Sequence, residues 1–279
     1  MNINELVESA KSGDSKALEK IILEIQDKVY GLSLKMLYDP MDASDATQEI
    51  LIKVITNLSS FRGESLFTTW VYRIAVNYLL RTKNNKSELT ALSFEEYKDD
   101  LDLENSELWQ EENHDDIDKI FLDEIRISCL QGLLLCLSRE LRIVFLLVDV
   151  FDLNSTEGAE ILEISPEAFR KRLSRAREKL QIFLFRNCSL ANKSNKCKCG
   201  YHVTSQINGD RFSEENIRFG NLRVKNEFNY KDEQIVREMD ELNHLGYLYK
   251  MSPDVKTPEK LFENIRQVLN SGKYIFLKN

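Results

Sequence analysis

Four side chains late in the chain have the types and spacing of metal ligands. Cys188, Cys197, Cys199 and His202 follow the pattern C-x8-C-x-C-x2-H. Thiolate and imidazole groups are ligands that zinc prefers, and neighbouring cations favour thiolates by lowering the pKa of a thiol. Three such cations stand beside the cluster: Lys193, Lys196 and Lys198. The pattern indicates a candidate site for one zinc ion per chain.

Other interpretations of this cluster stay open. Cys197 and Cys199 flank a single residue, which strains simultaneous ligation, and the spacing differs from the common C-x2-C knuckle. Reduced thiols in a surface loop, or a redox switch, fit the same residues. Cys129 and Cys136 lie in apolar helical sequence and are predicted to be buried small hydrophobes. No disulfide framework is therefore expected.

The sequence contains no catalytic constellation. Its three histidines, His114, His202 and His244, are scattered along the chain, and it has neither a glycine-rich phosphate loop nor a paired-carboxylate motif. A nucleic-acid enzyme is thus a weak interpretation. We expect a protein that binds rather than catalyses, and one that requires no cofactor beyond the zinc candidate.

Basic residues are concentrated in one predicted helix. The net charge of −8 argues against a nucleic-acid partner, but residues 88–126 hold fifteen acidic residues against three basic ones. Residues 166–186, in contrast, hold only Glu167 and Glu178 against Arg170, Lys171, Arg172, Arg175, Arg177, Lys179 and Arg186. The acidic charge belongs to a linker and the basic charge to a helix surface.

This basic helix is the second half of a predicted helix-turn-helix spanning residues 154–180. Ser165 is a favourable N-cap, with Pro166 at the first helical position. The apolar positions predicted to face the core are Ala159, Ile161, Leu162, Ile164, Phe169, Leu173, Ala176 and Leu180. The basic residues then face solvent, where the second helix of such a motif enters a major groove. This pattern favours nucleic-acid binding.

Two further segments nearer the N-terminus carry patterned polar residues. A predicted amphipathic helix buries Ala46, Ile50, Val54 and Leu58 and presents an acidic face of Asp42, Asp45, Gln48 and Glu49. Taken alone, that face is more typical of a solvated surface than of a docking site. The next helix is predicted to turn Thr69, Arg73, Asn77 and Arg81 outward, and the preceding loop, with Phe61, Arg62 and Gly63, could hold an unstacked base.

The elements that must position these residues are helices. Apolar spacing of three and four predicts an all-α fold, with a first helical domain over residues 1–83, a flexible acidic linker over 84–124, and a helix-turn-helix domain over 125–187. The Cys/His cluster occupies 188–202, and a C-terminal extension of undetermined role fills 203–279. Helices are expected near 232–245 and 258–269, before an apolar end at 274–277. Neither a signal peptide nor a spanning segment is evident, so we expect a cytoplasmic protein with no membrane insertion.

Taken in order, these motifs resemble the two conserved regions of extracytoplasmic-function (ECF) sigma factors of RNA polymerase. The segment from Asp42 to Glu49 resembles the helix that docks on the polymerase clamp, the segment from Phe61 to Asn77 the element that opens and recognises minus-ten DNA, and the segment from Ser165 to Leu180 the minus-thirty-five recognition helix. The resemblance covers about residues 1–83 and 125–187. It implies core RNA polymerase and promoter DNA as partners, and an anti-sigma factor as a further candidate.

By that resemblance, each site is assigned its residues. Polymerase would be bound by Asp42, Asp45, Gln48 and Glu49. Minus-ten DNA would be bound by Phe61, Arg62, Arg73, Asn77 and Arg81, and minus-thirty-five DNA by Arg170, Lys171, Ser174, Arg175 and Arg177. The rival interpretation is a helix-turn-helix regulator that is not a polymerase subunit, for which only the second domain would be needed.

Two residues depart from the family pattern. Glu163 occupies the turn position where the family usually has glycine, and a left-handed backbone there would cost about 1–2 kcal/mol. Gly158 stands where a bulky apolar residue is usual, which should weaken the first helix by about 1 kcal/mol relative to alanine.

Overall fold

The computed structural model describes residues 2–83, 86–89, 92–105, 119–208, 217, 219, 245, 248–250 and 256–270. Its helices in that part of the chain are α1 (Ile3–Lys11), α2 (Ser15–Leu37), α3 (Pro40–Thr56), α4 (Phe67–Arg81), α5 (Lys86–Leu89), α6 (Phe94–Asn105), α7 (Lys119–Leu135), α8 (Arg139–Phe145), α9 (Ser155–Ile161), α10 (Pro166–Asn187), α11 (Cys199–Asn208) and α12 (Glu259–Asn270). Over these ranges the fold is all-α, as predicted, with only an isolated backbone bridge between Cys188 and Cys197. Within them, no helix is both long enough and apolar enough to cross a bilayer.

The first domain is a bundle of α1 to α4. Each of the first three helices begins at a side-chain cap: Asn2, whose capping box includes Glu5, then Asp14, and Asp39 followed by Pro40. The apolar stripe predicted for α3 is buried, at Ala46, Ile50, Val54 and Leu58. Helices α2, α4 and α12 all contact α3, while Asp45 and Glu49 on its outer side stay exposed.

The second domain is formed by α7 to α10, with a wide helical turn at Leu146–Val150 after α8. Helix α8 packs against α10, and α9 packs across α10 to form the helix-turn-helix. In the segment predicted as a linker, α6 lies on this domain: the Tyr97 hydroxyl donates to the Cys129 carbonyl at 3.0 Å, and the Phe94 and Tyr97 rings contact Phe183. Residues 106–118 lie outside the described part of the chain.

A buried cluster of charges joins the two domains. The Arg142 side chain is 2% exposed and donates to the Leu134 carbonyl at 2.9 Å and the Leu137 carbonyl at 3.1 Å, near the end of α7. It also donates to the Met36 carbonyl at the end of α2. Glu88 accepts from it at 3.0 Å. Met36 and Leu134 lie in the last turns of α2 and α7, so one cation binds helix ends of both domains.

Arg139 extends the cluster to α4. Its guanidinium donates to the Leu79 carbonyl at 3.0 Å and to the Thr82 carbonyl, and its Nε donates to Glu88 at 2.8 Å. Burial lowers the pKa of Arg142, and the adjacent Glu88 carboxylate opposes that shift. The Glu88 carboxylate therefore offsets the desolvation of two cations at once.

In the C-terminal extension, α12 matches the helix expected near 258–269. The helix expected near 232–245, apart from residue 245, and the apolar end at 274–277 lie outside the described residues. Helix α11 packs on α7 and α6, and α12 packs on α3. The described parts of the extension are thus attached to both domains.

Replacing Glu88 with glutamine should lower the free energy of unfolding by about 3 kcal/mol, because two buried guanidinium groups would lose their only carboxylate partner in the described part of the chain. Urea titration followed by circular dichroism measures this. Glu95→Gln, on the exposed face of α6, is the matched control and should change stability by less than about 0.5 kcal/mol. Equal effects of the two substitutions would contradict the role given to Glu88.

Candidate nucleic-acid interface

The helix-turn-helix is built by local capping. The Asn154 side chain accepts from the backbone N–H groups of Thr156 and Glu157, both at 3.0 Å, while the Asn154 backbone N–H donates to the Glu157 carboxylate at 2.9 Å. Ser165 accepts from the Ala168 amide at 3.2 Å, so the predicted N-cap of the second helix is confirmed. These caps set where α9 and α10 begin and therefore how the turn between them is aligned.

The structure shows the local geometry at both residues that depart from the family pattern. Glu163 has a φ of 54°, the left-handed conformation expected at this turn. At Gly158, a Cβ atom would lie 2.4 Å from the ring of Phe169, a side chain that is fully buried. The absence of a side chain at position 158 therefore leaves room for the Phe169 ring. Helix propensity alone does not predict this packing role of the glycine.

The outer face of α10 carries most of the predicted minus-thirty-five residues. Arg170, Lys171, Ser174 and Arg175 are exposed, and positions 170 and 174, like 171 and 175, are one helical turn apart. Lys171 forms an exposed ion pair with Glu167 at 2.8 Å. Such a pair is worth little and leaves the cation available to a phosphate.

Arg177 is placed differently. Its guanidinium binds the Asp149 carboxylate in two-pronged fashion, with Nη2 to Oδ1 at 2.9 Å and Nε to Oδ2 at 3.0 Å. Burial raises the pKa of Asp149, and Arg177 counteracts that shift. In this conformation Arg177 braces α10 against the turn after α8.

The predicted acidic face assembles on α3. Asp45 and Glu49 are exposed one turn apart, with Asp42 and Gln48 half-buried beside them. Burial raises the pKa of the neighbouring Tyr78 phenol, and the charges of Glu49 and Asp45 raise it further. The electrostatic influence of this face thus extends to α4.

An open groove of about 800 Å³ lies between the end of α3 and α4. Asn77 and Arg81, both predicted to contact minus-ten DNA, line it together with Lys53 and the aromatic rings of Trp70 and Tyr78. Aromatic faces beside cations and amide groups are what unstacked bases require. The groove therefore has the chemistry of a single-strand binding site.

Three residues predicted for this region have other positions. Phe61 is 5% exposed, and its ring packs on Phe67 at 5.3 Å and Trp70 at 5.5 Å, so it supports the groove wall rather than presenting a face to a base. The prediction that Thr69 points outward is wrong, because it is 3% exposed. Arg73 pairs with Glu160 of α9 at 2.9 Å, while Arg62 is exposed in the loop as expected.

The sequence patterns did not identify Glu160 and Asp149, the acidic partners of Arg73 and Arg177. Glu160 lies 87 residues from Arg73 and Asp149 lies 28 residues from Arg177, in each case on a different element. No periodicity within one segment signals such a pairing.

The Cys/His cluster lies at one wall of a cavity. Cys188, at the end of α10, pairs its backbone with Cys197, and the Cys197 sulfur lies 3.3 Å from Nε2 of His202. These residues and Cys199 line a largely apolar cavity of about 240 Å³, together with Cys129 of α7. The cluster thus ties the residues after α10 to α7.

Burial is the largest influence on the pKa of these thiols. Burial raises the pKa of Cys188 and of Cys199, and it raises that of Cys129 to about 12. The prediction that neighbouring lysines lower the thiol pKa values is therefore wrong for Cys188 and Cys199. Across the described ranges, no three His, Cys, Asp or Glu side chains converge closely enough to hold a metal ion.

Fold and surface together define a two-domain helical DNA-binding protein that carries a helix-turn-helix. The family model for sigma-70 region 2 matches residues 21–87, and that for sigma-70, region 4 matches residues 127–180. The RNA polymerase sigma-H factor of Pseudomonas aeruginosa is 31% identical over 179 residues, which cover 62% of this chain and 89% of the relative. The ECF RNA polymerase sigma-E factor of Haemophilus influenzae is 33% identical over 189 residues, 63% of this chain and 92% of the relative.

Among solved structures, that of CnrH in complex with the cytosolic domain of CnrY matches 64% of this chain and 95% of that chain, with 19% identity and a TM-score of 0.45.

The family models and the curated relatives together show that the chain belongs to the sigma-70 family of RNA polymerase sigma factors, in its ECF group.

Gly158→Ala should destabilise the second domain by about 1–3 kcal/mol even though alanine is the better helix former, because the added methyl group collides with the Phe169 ring. Thermal unfolding measures the change. A double variant with Phe169→Leu should recover part of the loss, since the smaller side chain frees space. A more stable Gly158→Ala protein would show that α9 and α10 do not approach as closely as described.

Proposed function

We propose that this chain works as a sigma factor, joining core RNA polymerase and directing it to promoters through a minus-ten and a minus-thirty-five element. Membership in the sigma-70 family supports this function. In this proposal residues 1–83 bind polymerase and minus-ten DNA, residues 84–124 link the domains, and residues 125–187 bind minus-thirty-five DNA. The work is binding rather than catalysis, and its place is the cytoplasm.

The acidic face of α3 is proposed to dock on polymerase. Asp45 and Glu49 are exposed on a helix whose other side is anchored in the core, so the face is presented rigidly. Asp42 and Gln48 extend it, and Asp42 lies in the first turn, where a carboxylate also complements the helix dipole. Rigid presentation lowers the entropy lost on binding.

The groove between α3 and α4 is proposed to hold minus-ten bases once they leave the duplex. Asn77 and Arg81 supply hydrogen-bond donors, Trp70 and Tyr78 supply stacking surfaces, and Arg62 stands at the adjoining loop. Strand opening by capture requires only that flipped bases be held better than paired ones. The groove is the observation that carries this part of the proposal.

The exposed stripe of α10 is proposed to enter the major groove at the minus-thirty-five element. Arg170, Lys171, Ser174 and Arg175 share this face, near the start of the helix. A regulator that is not a polymerase subunit would also explain this stripe. It would not explain the first domain, which matches sigma-70 region 2, so this alternative is not favoured.

The described arrangement is a closed form that must open for promoter binding. Arg73 is paired with Glu160, and the Tyr72 and Phe151 rings pack 5.8 Å apart across the same interface. We propose that Arg73 contacts minus-ten DNA only after this interface separates. Control by an anti-sigma factor stays a prediction from the family resemblance.

Reversing both Asp45 and Glu49 to lysine should abolish binding to core polymerase without unfolding the protein, since both side chains are exposed. Co-purification with core polymerase and in vitro transcription measure the effect. Glu95→Lys with Asp99→Lys, on α6, reproduces the same charge change at the same spacing and should leave binding intact. Normal polymerase binding by the α3 variant would refute the docking face.

Arg175→Ala should weaken binding to the upstream promoter element by about 1–3 kcal/mol if it contacts a base, and by less if it contacts only phosphate. Footprinting at several salt concentrations separates the two cases. If Arg175→Ala footprints like the parent protein at every salt concentration, α10 is not the recognition helix.

Asn77→Ala should leave the upstream footprint intact and reduce permanganate reactivity of thymines in the opened region.

A further inference from the structure

The C-terminal extension contributes a segment that contacts both domains. We call this segment the C-terminal strap and define it by described residues 245, 248–250 and 256–270. The two family models match residues 21–87 and 127–180, so they assign the strap no role. Its contacts are both polar and apolar. One set lies on α2 and α3 of the first domain, and the other lies around the turn after α8 of the second domain.

On the first domain, the strap binds α2 and α3. The Thr257 amide and hydroxyl both donate to Oδ1 of Asp27, at 3.0 and 2.8 Å, and Arg266 pairs with Glu19 at 2.5 Å. Asp27 and Glu19 lie two turns apart on α2, so the strap follows that helix for about 12 Å. Helix α12 also packs on α3 and buries its own apolar side, with Ile265 fully buried and Leu261 4% exposed.

On the second domain, the strap binds the region around the turn after α8. The Tyr249 ring meets Phe145 edge to face at 5.1 Å, and Lys250 pairs with Asp152. Leu245 and Leu248 are buried in the same core as the two sigma regions. The strap therefore has one attachment on each domain, separated by only a few residues of chain.

Two attachments on one short segment restrict how far the domains can separate. The strap does not cover the acidic face of α3, because Asp45 and Glu49 remain exposed. The strap binds instead to the closed form, in which Arg73 forms an ion pair with Glu160. A segment that binds the closed form better than the open one shifts the population toward the closed form and lowers the apparent affinity of any partner that requires the open form.

From this geometry we infer that the strap is an intramolecular inhibitor: it bridges the first and second domains and holds them closed. Core polymerase and promoter DNA require the open form, so the strap opposes their binding. The inference rests on the proposed sigma function, since that function defines the open form. By thermodynamic linkage, polymerase binding must in turn weaken the hold of the strap. Any ligand that captures the strap would activate the protein.

The test uses the full-length chain with Ile265→Asp, which places a carboxylate in the buried side of α12 and should detach it. Hydrogen exchange at the α4 and α9 interface should become faster, and the affinity for core polymerase should rise about tenfold as the closed form loses population. Lys260→Asp is the control: it introduces the same side chain at an exposed position of α12 and should change neither measurement.

A second set of variants tests the strap without touching a core position. Arg266→Glu opposes Glu19 with a like charge and should raise polymerase affinity severalfold, whereas combining it with Glu19→Arg rebuilds the pair in reverse and should restore the parent value. This rescue would not occur if either single substitution acted by unfolding its domain.

The outcomes separate the inference from the proposed function. Unchanged exchange at the α4 and α9 interface in Ile265→Asp would overturn the bridging role of the strap. Faster exchange with unchanged or weaker polymerase affinity would overturn its inhibitory role. If neither the parent protein nor any variant binds core polymerase, the proposed function fails, while the exchange data still decide whether the strap holds the domains closed.

Discussion

A buried ion cluster determines how the two domains meet. Arg142 and Arg139 donate hydrogen bonds to carbonyl groups near the ends of α2, α4 and α7, where few backbone donors are left over. Two guanidinium groups in such a site need a compensating charge, and Glu88 supplies it from the segment between the domains. The segment is therefore part of the closed form as well as a connection, and its acidic composition has a structural use at this residue.

Around that junction, opposite charges on different elements are paired. Arg73 with Glu160 and Arg177 with Asp149 use cations that the family resemblance assigns to promoter contacts. Of the cations that the resemblance assigns to DNA, those left exposed lie on the outer face of α10, in the loop before α4 and beside the groove next to α4. A protein of net charge −8 can therefore present local basic surfaces while it remains closed.

Two residues of the helix-turn-helix have locally unfavourable backbone properties. Glu163 adopts a left-handed backbone at the turn, and Gly158 forgoes helix propensity in α9. The glycine allows α9 to approach α10 closely enough for Phe169 to be fully buried against it. The burial of a large ring offsets these costs, since a buried phenylalanine contributes about 1.5–3 kcal/mol.

Local order and chemistry were determined by the sequence alone. Apolar spacing of three and four predicted the helices, the Ser165 cap and the buried stripe of α3, because these depend on residues within a few turns. The acidic face of α3 and the basic stripe of α10 were predicted for the same reason. Only the tertiary structure decided that Phe61 is buried, that Arg73 and Arg177 are paired, and that the Cys188 and Cys199 thiols have raised pKa values. Each of those properties depends on groups distant in the chain that packing alone brings together, and a periodic pattern carries no information about them.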